Sequence, residues 1–290
     1  MESEQLTLLR SSFEEYLTVL SSESLEPDDH YLPYEYPYIT RAKWRFLADA
    51  MLQDELREAT NRIHEWRDML RRWQAWNIVV ATKTETPAWD LRREFMEPLV
   101  HTCLIMPSAA RDLLTFIGTN ALHQIRIHTD AEYKDILEGD PSAATPEPRP
   151  LTRRHKERRL NRLATPLEGS NPFLGSIAQI DNDEFRKITK DYRNLNSHAI
   201  GPRIALGQTR MVTRRAIVAT RMEDQLDGTL RLVEIPGRYV ASYSFGGVEP
   251  LDLEVARKAC VRQYQAMRVC FDHLTSLIQS HSAKMPRADA

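Results

Sequence analysis

The sequence predicts a mainly α fold, a helical bundle with a small antiparallel β-meander inserted before the C-terminal helix. Three observations lead to this prediction. Apolar residues recur every three or four positions over most of the chain. Residues 209–246 depart from this spacing and carry β-branched and aromatic runs. No segment repeats itself, so we expect one domain over residues 1–290 with elaborations.

The first quarter of the chain contains the clearest helical patterns. Residues 4–21 alternate apolar and polar side chains at helical spacing, and residues 40–76 predict a long helix. Its apolar stripe, which indicates packing against another helix, consists of Leu52, Leu56, Ala59, Ile63, Trp66, Leu70 and Trp73. The tyrosine-rich segment between the two helices predicts a packed loop, because its rings need a surface to cover.

Residues 87–105 and 107–127 predict a helical pair separated near Pro107, because proline disfavours a helix interior. Thr86 would cap the first of these helices, with Pro87 in its first turn. Four prolines in residues 138–150 predict a linker or a surface excursion. This segment permits a division into an N-terminal helical part, residues 1–137, and a motif-bearing part, residues 151–282.

The second half of the chain contains a predicted helix from Asp183 to Ala199, which Gly201-Pro202 would end. Its apolar stripe consists of Phe185, Ile188, Tyr192, Leu195 and Ala199. Residues 209–246 predict two or three strands, with turns at Asp227-Gly228 and Pro236-Gly237. The last predicted helix, residues 250–280, carries an apolar line of Leu253, Ala256, Cys260, Tyr264, Met267, Phe271, Leu274 and Ile278.

The composition of the chain excludes several classes of protein. The formal net charge is −2, so any nucleic-acid contact must come from a local patch. Cys103, Cys260 and Cys270 form no C-x-x-C pair, which argues against a disulfide framework and a structural zinc site. The N-terminus lacks the pattern of a signal peptide, and no apolar run approaches the ~18 residues of a membrane span. We therefore expect a cytoplasmic protein that does not associate with membranes.

Most familiar catalytic patterns are missing from the sequence. It contains no glycine-rich phosphate loop, no G-x-S-x-G elbow and no H-E-x-x-H pair, and we predict neither a cofactor nor a metal. His123 and His128 lack an acidic companion at metal spacing and are interpreted as core or surface residues. Trp66 and Trp73 are interpreted as core residues. The basic run from Arg149 to Arg162 is compatible with either a phosphate contact or a solvated helix face.

One segment stands apart, the end of the helix predicted from Asp183 to Ala199. Asn194 and His198 are four residues apart and share a helix face, while Arg193 lies about 140° around the helix from His198. A histidine can take a proton from a 2′-hydroxyl or protonate a leaving oxygen. An arginine can hold a phosphate with two parallel donors. This combination suits metal-independent cleavage of RNA.

The six residues from Arg193 to His198 resemble the R-x4-6-H motif of the HEPN superfamily (higher eukaryotes and prokaryotes nucleotide-binding), whose members are small helical bundles. The resemblance implies a metal-independent endoribonuclease, a hydrolase of toxin–antitoxin, abortive-infection or RNA-decay systems. It also implies a homodimer in which two motifs face each other in one cleft. The expected partners are RNA, a second copy of the chain, and an antitoxin or other defence-system protein.

The resemblance further implies roles for the residues of the motif. His198 would act as general acid–base, Arg193 would hold the phosphate, and Asn194 would orient either group. Asn196 and Ser197 would add hydrogen bonds to the substrate, and Arg203 would extend the positive cleft. Some HEPN toxins carry a tyrosine two residues after the histidine that a partner enzyme adenylylates. Ile200 stands there in this chain, so that mode of neutralisation is not expected.

Two other interpretations remain open. Arg193 and His198 would be structural if the arginine paired with a neighbouring acid such as Asp191 and the histidine favoured the helix C-terminus. The protein would then be a non-catalytic HEPN-like module that binds a protein partner, or RNA without cutting it. An enzyme acting on small molecules, with the β-meander as a lid, is a weaker alternative because no nucleophile–base pair supports it.

Overall fold

A computed structural model describes residues 2–21, 24–142, 146–226 and 228–288. It confirms the predicted fold class, because the chain is mainly helical and a two-stranded antiparallel sheet precedes the C-terminal helix. The chain divides into two compact units. The first comprises Met1–Arg193 and Leu253–Ala290, and the second comprises Asn194–Asp252. The proline-rich residues 138–150 therefore fall inside the first unit, at neither of its boundaries with the second.

Helices make up most of the chain, and both strands lie shortly before the last helix. In chain order the helices are α1 (Glu2–Leu20), α2 (Pro37–Thr40), α3 (Ala48–Ala81), α4 (Glu85–Leu91), α5 (Glu97–Thr129), α6 (Arg153–Ala164), α7 (Asn171–Ile177), α8 (Asp183–Ile188), α9 (Tyr192–His198) and α10 (Leu253–Ser282). A π-helical segment, Arg92–Met96, joins α4 to α5. The strands β1 (Val212–Asp224) and β2 (Leu230–Phe245) precede α10. Within the described ranges, no helix combines the length and the apolar character that crossing a bilayer requires.

The core of the first unit lies where α3, α5 and α10 pack against one another. All seven residues of the predicted α3 stripe are fully buried, so the prediction that Trp66 and Trp73 belong to the core is confirmed. Trp66 meets Tyr264 of α10 edge to face, with ring centroids 6.0 Å apart. Burial of each large apolar side chain stabilises the fold by roughly 1.5–3 kcal/mol, so these stripes dominate the stability of the bundle.

The helix predicted over residues 40–76 instead begins at Ala48 and continues to Ala81. Phe46 adopts a left-handed conformation, with φ of +52°, which interrupts the helical backbone just before this point. The tyrosine-rich segment contacts α3, as predicted, through Tyr31 and Tyr34, but its last residues form the short helix α2 rather than loop. His64 of α3 accepts a hydrogen bond from the N–H of Leu32 at Nε2, 2.8 Å away, and burial lowers the pKa of this histidine.

Glu55 connects α3 to α5 through a half-buried carboxyl group. Asn120 donates a hydrogen bond to Glu55 Oε1 at 2.6 Å. Among the described residues, none hydrogen-bonds to the other oxygen, Oε2, although that atom is buried. Burial raises the pKa of Glu55 to about 7, because removal from water penalises the charged form.

The start predicted for the helix after α3 is wrong by two residues. Thr84, rather than Thr86, is the N-cap of α4, and Pro87 stands at the third helical position. Proline is tolerated there because the first four N–H groups of a helix lack intrahelical partners. With the π-helical segment, the helical run is continuous from Glu85 to Thr129.

The predicted break near Pro107 is also wrong, because Pro107 lies buried in the interior of α5. A proline removes the N–H that would bond the carbonyl four residues earlier, here the carbonyl of Cys103. The thiol of Cys260, on α10, donates to that carbonyl across a Sγ–O distance of 3.6 Å. Burial raises the pKa of Cys260, so the thiol keeps the proton that it donates.

The second unit contains two strands. The sequence predicted either two or three strands, and the lower number is correct for the described residues. β1 has 13 residues and β2 has 16, and they pair antiparallel. The turn between them includes Gly228, with φ of +78°, while Asp227 of the predicted turn lies outside the described residues.

The second predicted turn, at Pro236-Gly237, is wrong because both residues lie within β2. The register shifts there, so that residues 235–238 of β2 stand opposite the single residue Ala219 of β1. Gly237 has φ of +77°, a conformation that glycine adopts without strain. A bulge accommodates proline because the unpaired residues need no N–H for the ladder, so the strand continues past it.

Candidate catalytic helix

The single helix predicted from Asp183 to Ala199 is wrong, because α8 ends at Ile188 and α9 begins at Tyr192. Lys190 and Asp191, between them, both have φ of +52°. Residues other than glycine rarely adopt this conformation, so the backbone is strained at the start of α9. Only Phe185 and Tyr192 of the predicted stripe are buried; Ile188 and Leu195 are partly buried and Ala199 is exposed.

Tyr192 anchors the start of α9 to the helical core. Its side chain is 4% exposed, and its hydroxyl lies 2.9 Å from Nδ1 of His101 on α5. Burial, with the nearby charge of Glu97, raises the pKa of Tyr192 to about 12, so the hydroxyl keeps its proton at neutral pH. The sequence did not reveal this contact, because the two residues are 91 positions apart.

The polar residues of α9 are all exposed: Arg193, Asn194, Asn196, Ser197 and His198. They stand on one helix of seven residues, and His198 is its last residue. The boundary between the two units falls between Arg193 and Asn194. A substrate in solution therefore has access to each of these side chains.

The chain after α9 is held by close contacts within the second unit. Gly201 is buried, and a Cβ atom there would approach Asn196 Oδ1 to 3.2 Å, tighter than an ordinary contact. Thr209 Oγ1 donates to the carbonyl of Gly201 at 3.1 Å. Leu251 N–H donates to the carbonyl of Arg203 at 2.9 Å. These contacts fix the backbone on either side of Arg203, whose side chain is exposed.

The described residues contain no group of three or more His, Cys, Asp or Glu side chains that could hold a metal ion. The three cysteines are buried, and burial raises the pKa of each thiol, that of Cys270 to about 12. They are therefore protonated at neutral pH and poor nucleophiles.

His123 is a core residue, as predicted, and is 5% exposed. Its two ring nitrogens lie 2.7 Å from the hydroxyl of Tyr133 and 2.7 Å from Oδ1 of Asp135. The pattern of the sequence did not identify this acidic neighbour. Because both ring nitrogens already have partners, His123 has a structural role in the first unit.

Two arginines of the basic run from Arg149 to Arg162 form ion pairs within the first unit. Arg153 of α6 lies 2.9 Å from carboxylate oxygens of both Asp112 and Asp181. Arg162 forms an ion pair with Glu138. Three further cations of α6 are exposed: Arg154, Lys156 and Arg158. Part of the run therefore serves packing, and the solvated remainder is compatible with either predicted role.

These observations show a mainly helical protein whose helix α9 exposes Arg193 and His198 to solvent, and they define no narrower class of protein. Comparison of the chain with protein-family models, curated proteins and solved structures gave no match. The resemblance to the HEPN superfamily therefore remains a prediction carried by the residues of α9.

Proposed function

We propose that this protein is a metal-independent endoribonuclease of HEPN type, with its catalytic residues on α9. One observation carries the proposal. The five predicted residues of the motif lie on one exposed helix, whose first residue, Tyr192, is anchored in the core. Groups carried on one helix keep a fixed spacing, and fixed spacing of the reacting groups is what catalytic positioning requires.

The proposed reaction is an internal transesterification of RNA. His198 accepts the proton of a 2′-hydroxyl, whose oxygen then attacks the adjacent phosphorus. The new 2′-O–P bond forms as the P–O5′ bond breaks, which leaves a 2′,3′-cyclic phosphate; the departing 5′-oxygen takes a proton from water, and His198 returns its own proton to the solvent. Arg193 offsets the negative charge that accumulates on the phosphate oxygens, and Asn194 orients the reacting groups.

The resemblance also supplies the biological setting of the proposal. The protein would be a toxin or phage-defence effector, assembled as a homodimer and restrained by an antitoxin or other partner protein. Asn196, Ser197 and Arg203 would contact the substrate beside the reacting phosphate. Because phosphate and 2′-hydroxyl occur in all RNA, sequence preference would come from other surfaces of the protein.

The test is RNA cleavage in EDTA by the wild type and by His198→Ala. We expect the wild type to cut and the variant to lose activity by at least about 100-fold, the usual scale of general acid–base catalysis. Arg193→Lys should also be impaired, because lysine keeps the charge but not the paired donors. His30→Ala, at another exposed histidine, is the matched control and should cleave normally.

Equal cleavage by the wild type and His198→Ala would refute the assignment of the catalytic residue. No cleavage by either protein, with both folded by circular dichroism, would favour the alternative of a non-catalytic helical module that binds a protein partner or RNA.

A further inference from the structure

One half of the hairpin contains the start of β1 and the end of β2. This half has aromatic side chains on one of its two faces. Side chains alternate across a strand, so every second residue lies on the same face. We define the proximal face as Val212, Arg214, Ala216, Val218, Tyr239, Ala241, Tyr243 and Phe245. Its cross-strand pairs include Arg214 with Tyr243 and Val218 with Tyr239.

The rings of the proximal face are open to solvent. Tyr239 and Tyr243 are each 67% exposed, and Phe245 is 91% exposed. The opposite face is polar near the same end, where Thr213 and Ser244 hydrogen-bond across the strands at 2.9 Å. Exposed rings gathered on one face of a sheet mark an interaction site, since single exposed apolar residues are normally scattered.

The charge around this face is mainly positive, and the acid that follows it in sequence, Glu249, accepts a hydrogen bond from Gln208. Residues 203–218 and 235–248 contain no aspartate or glutamate. Their cations are all arginines: Arg203, Arg210, Arg214, Arg215 and Arg238. The acidic residues of the described strands lie beyond the bulge, in the distal half of the hairpin: Glu223, Asp224 and Glu234.

We propose that the proximal face binds single-stranded RNA, with bases stacked on Tyr239, Tyr243 and Phe245 and phosphates held by the surrounding arginines. Aromatic rings stack on any base, and arginines add both charge and planar contacts. Ala216 and Ala241 face each other between the two tyrosines and leave room for a base there. A duplex keeps its bases stacked inside and offers no ring to this face.

The choice of RNA rests on the proposed function, whereas the choice of a single-stranded nucleic acid rests on this face itself. The charge of the proximal face favours binding of a nucleic acid over self-association of the protein through the same surface. Two copies of the proximal face would bring arginines against arginines without a carboxylate from either segment to offset them. A polyanion with exposed bases can pair its phosphates with the arginines and stack its bases on the aromatic rings.

The test measures binding without cleavage, by fluorescence anisotropy of a labelled 20-nucleotide RNA with full-length His198→Ala protein in EDTA. We expect Tyr243→Thr, made in that background, to weaken binding by at least about fivefold, and replacement of all three rings by threonine to weaken it further. Threonine retains the preference for a strand. Leu232→Thr, at a 63% exposed position in the distal half, is the control and should bind normally.

A second readout tests the arginines. Arg214→Gln should reduce the slope of log affinity against log salt concentration by about 1, as expected for the loss of one phosphate contact. Equal affinity for a blunt RNA duplex would overturn the proposal, as would an equal loss of affinity in Leu232→Thr. So would a change from oligomer to monomer in Tyr243→Thr, measured by light scattering, without any change in RNA affinity.

The same assays separate this inference from the proposed function. Loss of RNA affinity in Tyr243→Thr, with no cleavage by the wild type, would support the RNA-binding face and contradict the ribonuclease. Cleavage by the wild type, with unchanged affinity in Tyr243→Thr, would support the ribonuclease and overturn the RNA-binding face.

Discussion

At the scale of single residues, Glu55 is destabilising when charged. Its carboxyl is half-buried between α3 and α5, with a hydrogen bond from Asn120 to one oxygen only among the described residues. The unfolded chain ionises this group near its ordinary value of 4.5, whereas the folded protein holds the proton until about pH 7. The folded state therefore binds more protons between these values, and its stability falls as pH rises through that window.

We predict that Glu55→Gln is more stable than the wild type at pH 8 by roughly 1 kcal/mol, because glutamine keeps an acceptor for Asn120 without the charge, whose cost is reduced by solvent screening at this half-buried position. Urea denaturation at pH 5 and pH 8 measures the difference. Glu58→Gln, at an exposed glutamate of the same helix, is the control and should change stability little. A stability gain in Glu55→Gln that is larger at pH 5 than at pH 8 would contradict the prediction.

At the scale of elements, the strongest periodic patterns were predictable and the interruptions were not. The stripes of α3 and α10 follow from local spacing, and burial confirms all of the α3 stripe and all of the α10 stripe except Leu253, which is partly exposed. Pro107 was misjudged because the donor that compensates for it, Cys260, is 157 positions from Cys103 in sequence. The residues Pro236-Gly237 predict a turn but form a bulge, because turns and bulges use the same residue types.

The candidate site shows the same limit. Spacing identified the polar residues of α9 as a group, and the structure places all of them on one exposed helix. Spacing missed the break at Lys190 and Asp191, because no glycine marks those two left-handed residues. It also missed the anchor between Tyr192 and His101, because these two residues are 91 positions apart in sequence.

The proline inside α5 leads to a prediction about its compensating thiol. Cys260→Ala removes the thiol donor and leaves the Cys103 carbonyl buried without it, so we expect a loss of about 1–3 kcal/mol in the free energy of unfolding. In a Pro107→Ala background the alanine N–H can bond that carbonyl, and the same substitution should cost less. Denaturant titrations of the two single variants and the double variant give this coupling. Strictly additive losses would refute the compensation by Cys260.

At the scale of the whole molecule, the first unit is built from two separate stretches of chain, and the second unit is the segment between them. The helices α3, α5 and α10, which form the core, all belong to the first unit. Most of the buried apolar residues lie in that unit, so it contains most of the apolar burial that stabilises the fold.

We predict that the first unit folds without the hairpin. Replacing residues 199–251 by a flexible Gly-Ser linker of about 15 residues should keep the helical circular dichroism signal and a cooperative thermal transition, since the linker spans the gap at modest entropic cost. Loss of the cooperative transition would contradict this prediction. Deleting α10 instead is the control, and it should abolish folding.

The discontinuous first unit has a consequence for synthesis of the protein. A ribosome makes α3, α5 and the residues of α9 well before α10, the helix that covers the buried stripes of the bundle. Until residues 253–282 have left the exit tunnel, the nascent chain displays an incomplete core to chaperones and proteases. A premature stop codon between residues 204 and 252 would thus yield a chain exposed to degradation, even though every residue proposed for catalysis had been translated.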